Sequence, residues 1–301
     1  MSILGFRRAQ PADAPSKDAV LAEFLRGHSI EVMPRTAEKV EDFADLLPRG
    51  TRVYIAHIDG TPVEDMVATA ARLRAEGMEP MPHFPARIIP DRATLADWIA
   101  RYRGEADVRQ GLILAGGVPE PRGTYATSMQ LLGSGAFDGF ERLHVAGHPE
   151  GSRDIDLDGS MTNVSAALDW KQKFSERTDA KMAIVTQFCF EARPVIEWAD
   201  AIRDAGIDLP VHIGVAGPAK LQTLIKFAVA CGVGPSLKVL QKRAMDVSKL
   251  LLPYEPVDFT TELARHKAAH PDFSIESVHV FPLGGIRTSA DWLATHTKDR
   301  E

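Results

Sequence analysis

The chain has 301 residues, with 35 Lys+Arg against 41 Asp+Glu for a formal net charge of −6; it is 45% hydrophobic, 25% charged and 7% aromatic. This is ordinary globular usage and excludes a disordered, collagen-like or disulfide-framework chain, while the acidic balance offers no field for a nucleic-acid backbone. Its two cysteines, Cys189 and Cys231, lack any CxxC-type spacing, which excludes a cysteine zinc cluster and fits a reducing cytoplasm.

From Met1 to Ala19 no apolar stretch is long enough for a signal peptide, and no run approaches the ~18 residues of a membrane span. A soluble, cytoplasmic protein with no membrane partner is expected. Residues 1–27 read as an N-terminal extension, with a helix over residues 17–26. From residue 28 a theme repeats: a short apolar run, a polar turn, then ten or more residues with helical period. The eight runs cover residues 28–33, 52–57, 79–84, 111–116, 142–147, 181–187, 210–215 and 277–283. After the second, Thr61 is the expected N-cap, with Glu64 closing a capping box and Pro62 in the first turn; Val63, Met66, Val67 and Ala70 form the stripe, and Gly77 ends the helix. The same spacing recurs in Leu95, Trp98, Ile99 and Tyr102 before Gly104, in Val195, Trp198, Ala199 and Ile202 before Gly206, and in Leu221, Leu224, Ile225 and Ala228 before Gly232. Residues 233–276 are too long for one connection and imply one or two extra helices before the last strand.

Near-continuous apolar strands alternating with amphipathic helices imply a parallel sheet buried on both faces. Eight such units predict a closed (β/α)8 TIM barrel, one domain over residues 28–301 with a helical insertion at 233–276. A doubly wound sheet is the alternative, yet no GxGxxG follows the first strand and no GxxxxGK[ST] occurs.

In such a barrel the chemistry collects where the strands end, so the polar residues closing the runs are the candidates. They are Glu31, His57, His83, Gly116 with Gly117, His148, Gln187, and Gly284 with Gly285. Glu31, between Ile30 and Val32, would point into the barrel; burial should raise its pKa and suit it to be a general acid, unless an Arg or Lys partner holds it ionised. His57, His83 and His148 lack HxH or HxxxH spacing, so no metal is expected and core or stacking roles are favoured. Lys171 and Lys173 cannot share a helix face; solvated lysines are the default reading, although one could meet a phosphate. The Gln187 amide donates and accepts at once, which matches a pterin edge or a loop backbone equally well. Phe188, Phe190 and Phe227 line a ring-shaped pocket or fill core.

Taken together, SIEVMPRT (29–36), PHF (82–84), VAGHPEG (145–151), LDWKQK (168–173), VTQFCFE (185–191), AGIDLPVHIGV (205–215) and Phe227 resemble the methylenetetrahydrofolate reductase barrel, from about residue 28 to about 290. The resemblance implies an oxidoreductase interconverting 5,10-methylenetetrahydrofolate and 5-methyltetrahydrofolate, with FAD and NAD(P)H as cofactors, a folate as the small-molecule partner, and assembly as a homo-oligomer left open. It implies Glu31 as the acid catalyst and the folate on Gln187, Phe227, Leu283 and Arg287. It sets the flavin against His57, His83, Leu114, Gly116, Gly117, Tyr125, Ala126, His148, Asp169 and Lys173.

The departures are as informative. Gly116-Gly117 stands where the family carries Gly-Asp, Ala56-His57 replaces its threonine, and Ser152 replaces a histidine. Asp169 replaces an asparagine and Gln172 an arginine, removing positive charge where a diphosphate would lie. Leu283-Gly284-Gly285 stands for Leu-x-Arg, with Arg287 as a substitute. FAD is therefore either held by weakened contacts or abandoned, with NAD(P)H passing hydride directly to the folate. Two further readings stay open: a tetrahydrofolate-dependent methyltransferase barrel, and a non-catalytic folate-binding subunit that meets a partner through the 233–276 insertion, where Leu237, Leu240, Leu250, Leu251 and Leu252 either form an exposed apolar surface or, the favoured reading, cover the barrel end.

Overall fold

Each of the eight apolar runs forms a strand: β1 (Ser29–Val32), β2 (Arg52–Ile55), β3 (Glu79–Pro85), β4 (Gln110–Leu114), β5 (Arg142–Gly147), β6 (Lys181–Cys189), β7 (Val211–Ala216) and β8 (Ile275–Phe281). In the computed structural model, which describes residues 17–231, 234–244 and 253–298, they pair in parallel in sequence order, and β8 closes on β1. This is the (β/α)8 barrel that the alternation predicts. Helices described around it are α1 (Lys17–Leu25), α2 (Pro34–Ala37), α3 (Val63–Ala75), α4 (Arg92–Ala106), α5 (Ser128–Leu132) and α6 (Thr162–Ser175). After these come α7 (Ala192–Asp204), α8 (Leu221–Ala230), α9 (Gly234–Ala244), α10 (Val257–Ala269) and α11 (Ile286–Thr297).

The main core lies between strands and helices. Ile30, Val53, Ile113, Val145, Ile213 and Val278 point outward and meet the helical stripes, including Leu95 and Ile99 of α4 and Val195 and Ala199 of α7. Each such side chain, once buried, contributes roughly 1.5–3 kcal/mol, so the ring of helices is held by the apolar positions that alternate along each strand.

Two helix ends differ from the expectation. Pro62 is extended (φ −61, ψ 141), so α3 starts at Val63, Thr61 caps nothing, and Glu64 ion-pairs with Arg101 instead. Helix α4 runs through Gly104, because Tyr102 and Ala106 extend its buried stripe, and it ends at Asp107 in the left-handed region (φ 45). Tight contact between β5 and β6 requires glycine at 147, where a Cβ would lie 2.3 Å from Ile184 Cγ2. Gly147→Ala is expected to lower stability by about 1–3 kcal/mol through overpacking, read as a lower denaturation midpoint. An unchanged midpoint would mean that β5 and β6 can separate without loss.

The insertion covers one side of the strand C-termini. Ala219 and Tyr254 exchange backbone hydrogen bonds of 3.1 and 2.9 Å, which brings the segment before α10 over the end of β7. Leu240 is fully buried there, and Leu237 and Phe227 pack beside Phe188, Phe190, Leu224 and Tyr254. Leu237 and Leu240 thus cover the barrel end rather than form an exposed apolar surface; Leu250, Leu251 and Leu252 lie outside the described residues. Among the described residues no helix is long and apolar enough to cross a membrane.

Candidate active site

The barrel interior is mostly polar. Strand register places Glu31 beside Tyr54, Leu112 between His83 and His144, His212 beside Ser277, and Ser29 beside His279. A small apolar cluster of Tyr54, Met81, Leu112 and Val185, with Leu114 against it, fills the rest.

Glu31 sits inside β1 with its Oε2 3.3 Å from His83 Nε2 and 3.8 Å from His279 Nε2. His279 is fully buried; its Nδ1 lies 2.9 Å from Ser29 Oγ, and its ring packs between Tyr54 (centroids 4.4 Å) and Phe281 (4.7 Å). Burial raises the Glu31 carboxyl, but the His279 and His83 nitrogens outweigh it and hold the group down to about 2. The expectation of a carboxyl kept neutral by burial is therefore corrected: the imidazole contacts favour the ionised carboxylate, and its partners are His83 and His279 rather than an Arg or Lys. Tyr54 hydroxyl pairs with His144 Nδ1, whose ring touches His212 (4.8 Å).

The other candidates divide. Gln187 is exposed at the end of β6. Phe227 and Leu283 meet in the apolar cluster over β6, β7 and β8, and Arg287 is exposed in the first turn of α11. His57 does not join Glu31; its Nε2 lies 3.1 Å from Thr61 O and its ring covers Trp98. Gly116 has φ +93 and abuts Pro85, whereas open space faces Gly117. Tyr125 is buried in the main core, and the Ala126 carbonyl accepts from Arg87 Nε. Lys173 is exposed as expected, but Lys171 is not: it is 4% exposed, donates to Ala146 O at 3.0 Å, and burial brings its ammonium down to about 8.

No protein-family model matches the chain. Over 92 residues it is 33% identical to methylenetetrahydrofolate reductase 1 of Schizosaccharomyces pombe, a match spanning 30% of this chain and 14% of the yeast protein. The likeness to a methylenetetrahydrofolate reductase thus covers under a third of this chain and a small part of the yeast protein. In fold the chain matches a solved protein from Clostridium thermocellum, described as uncharacterised and as binding two copies of 5-methyl-5,6,7,8-tetrahydrofolic acid. That likeness has a TM-score of 0.58 and 10% identity, over 93% of this chain and 97% of the other.

For the flavin that the resemblance implies, the decisive question is which side chains would meet its diphosphate. Lys173 Nζ is matched by Asp169 at 2.7 Å, and the Gln172 amide oxygen accepts from Asp208 N–H. Lys171 is turned away onto Ala146 O. Burial, with the Lys171 charge, brings His148 down to about 4, so it is neutral near pH 7. Of these residues only Lys173 presents an exposed cation, and Asp169 neutralises it, so the set does not fit the diphosphate of a flavin dinucleotide.

Ser29, Tyr54, His144, His212 and His279 went unread in the sequence, although a signal existed. They share the inward strand parity of Glu31, and reading period two from Glu31 around the barrel would have found them.

Proposed function

We propose that the chain binds a reduced folate at the C-terminal end of the barrel and interconverts its 5,10-methylene and 5-methyl forms, exchanging hydride directly with NAD(P)H. The observation carrying this reading is the Glu31 carboxylate clamped between His83 and His279 inside the barrel, with Gln187 exposed near the end of β6.

In the reducing direction the Glu31–imidazole cluster delivers one proton to the bridging nitrogen on the aminobenzoyl side. The bond from that nitrogen to the methylene carbon breaks, leaving an iminium on the pterin-ring nitrogen, and hydride from the nicotinamide completes the methyl group. The Glu31 carboxylate is the anion that faces the iminium cation, an electrostatic match made inside a poorly solvated barrel. Gln187 supplies paired donor and acceptor groups for the pterin edge, and Phe227 offers a ring face for stacking.

The test is to mix the purified protein with 5,10-methylenetetrahydrofolate and NADH or NADPH without flavin and follow nicotinamide oxidation. Turnover unaffected by added FAD is expected. Folate binding with no turnover, with or without FAD, would establish the competing reading of a folate-binding protein without redox chemistry. The Clostridium thermocellum protein, which binds two folate copies, favours that alternative. Exposed ion pairs are worth under about 1 kcal/mol, so Asp169→Asn, by releasing Lys173, is expected to tighten FAD binding only by a few-fold at low salt. Titration by flavin fluorescence measures this; an identical affinity would mean that the Asp169–Lys173 pair is remote from any diphosphate.

A further inference from the structure

We propose that Thr186 is a positioning residue whose hydroxyl locks a bulge in β6 and so turns the Gln187 side chain into the folate site. This rests on the reading of Gln187 as a folate contact.

Between β6 and β7, Val185 pairs with His212 and Phe188 with Gly214. Three residue steps on β6 therefore face two on β7, and one extra residue must be accommodated at Thr186 and Gln187. An extra residue leaves ladder groups unpaired, which is costly when they are buried. Here the buried Thr186 side chain takes both roles. Its Oγ1 accepts from Gly214 N–H at 2.9 Å and donates to the Gln187 carbonyl at 2.8 Å. The Cys189 thiol reaches the same carbonyl at 3.6 Å.

The consequence is a change of parity. Phe188 takes the place in register with Gly214 and packs against Phe190 and Phe281, while the preceding Gln187 keeps its side chain exposed at the strand end. Two successive residues thus serve the open end, one as apolar floor and one as polar contact, which a regular strand does not permit. Glycine at 214 is part of the device, since a Cβ there would lie 2.3 Å from Gln187 O and 2.6 Å from Thr186 O.

The experiment measures the Kd for 5-methyltetrahydrofolate, and KM and kcat where turnover exists, in Thr186→Val, Thr186→Ser, Gln187→Ala and Thr186→Val/Gln187→Ala. One lost hydrogen bond corresponds to roughly 10-fold in affinity, so Gln187→Ala and Thr186→Val are each expected to weaken binding by about that factor. Thr186→Ser, which keeps the hydroxyl, restores affinity. In the Gln187→Ala background Thr186→Val adds nothing further, the signature of two residues acting through one contact. Wild-type affinity in Thr186→Val, or a full further loss in the double variant, overturns the proposal. Wild-type affinity in Gln187→Ala instead removes the folate reading of Gln187. If Thr186→Val does not fold, Cys189→Ala, expected to give a smaller loss that likewise vanishes in Gln187→Ala, replaces it in the same comparison.

Discussion

Glu31→Gln is expected to lower folate turnover by ~10²–10⁴-fold, the usual share of positioned proton transfer, while folding and folate affinity stay close to wild type. Glutamine keeps the shape and can still hydrogen-bond His83 and His279, so the barrel interior is not left with a hole. It does not supply the carboxylate that keeps a proton on the cluster, and it removes the anion that faces the iminium. Both losses lower the reducing and the oxidising directions alike, because the group that donates the proton in one direction must take it back in the other. Steady-state rates of nicotinamide oxidation, beside folate affinity from titration, measure the outcome. Unchanged turnover would take Glu31 out of the mechanism, and lost affinity with unchanged turnover at saturation would make it a binding group only.

Acid is expected to unfold this barrel from a higher pH than carboxylates alone would allow. Burial lowers His144 well below its ordinary value, and burial, with the Arg52 and His279 charges, brings His212 from 6.5 to about 3. A base whose folded pKa is depressed contributes stability that is fully present above the unfolded value. It is lost as pH falls from 6.5 toward the folded value, because only the unfolded chain takes up the proton. For His212 alone that loss is on the order of 3 kcal/mol by pH 4; partly buried His148, brought to about 4, adds a smaller amount. Glu31 acts in a second window: its carboxyl is held down from 4.5 to about 2, so its contribution is present above pH 4.5 and disappears below it. Denaturant titrations from pH 7.5 to 4.5 should show stability flat above pH 7 and then falling by more than ~1.4 kcal/mol per pH unit, the slope of one proton. His212→Gln should reduce that slope by about one proton. A flat profile down to pH 5 would mean that these imidazoles are charged and hydrated in the folded barrel.

The eight strands and the four helical stripes could be read directly because each follows from local spacing. Apolar runs bounded by turns can bury both faces only in a parallel sheet, and residues at i, i+3, i+4, i+7 share one helix face. The errors at Thr61 and Gly104 arose where a local rule met tertiary packing: a stripe continuing to Ala106 kept α4 helical past a glycine. The reading of Lys171 failed for the same reason, since periodicity places a residue on a face but does not reveal that a strand-end carbonyl waits there. Glu31 was found because a carboxylate inside an apolar run is conspicuous, whereas His279, among Ser277, Val278 and Val280, was not.

Chain order alone settled that Glu31 would face the barrel interior, because side-chain direction alternates along a strand and needs no knowledge of distant residues. Its charge was another matter. Whether that carboxyl is neutral or ionised depends on His83 from β3 and on His279, which reaches Ser29 across 250 positions of sequence. Barrel closure brings β8 against β1 and sets the balance between desolvation and imidazole contact. Electrostatic energies depend on distances in space, so the proton inventory of the site exists only in the folded chain.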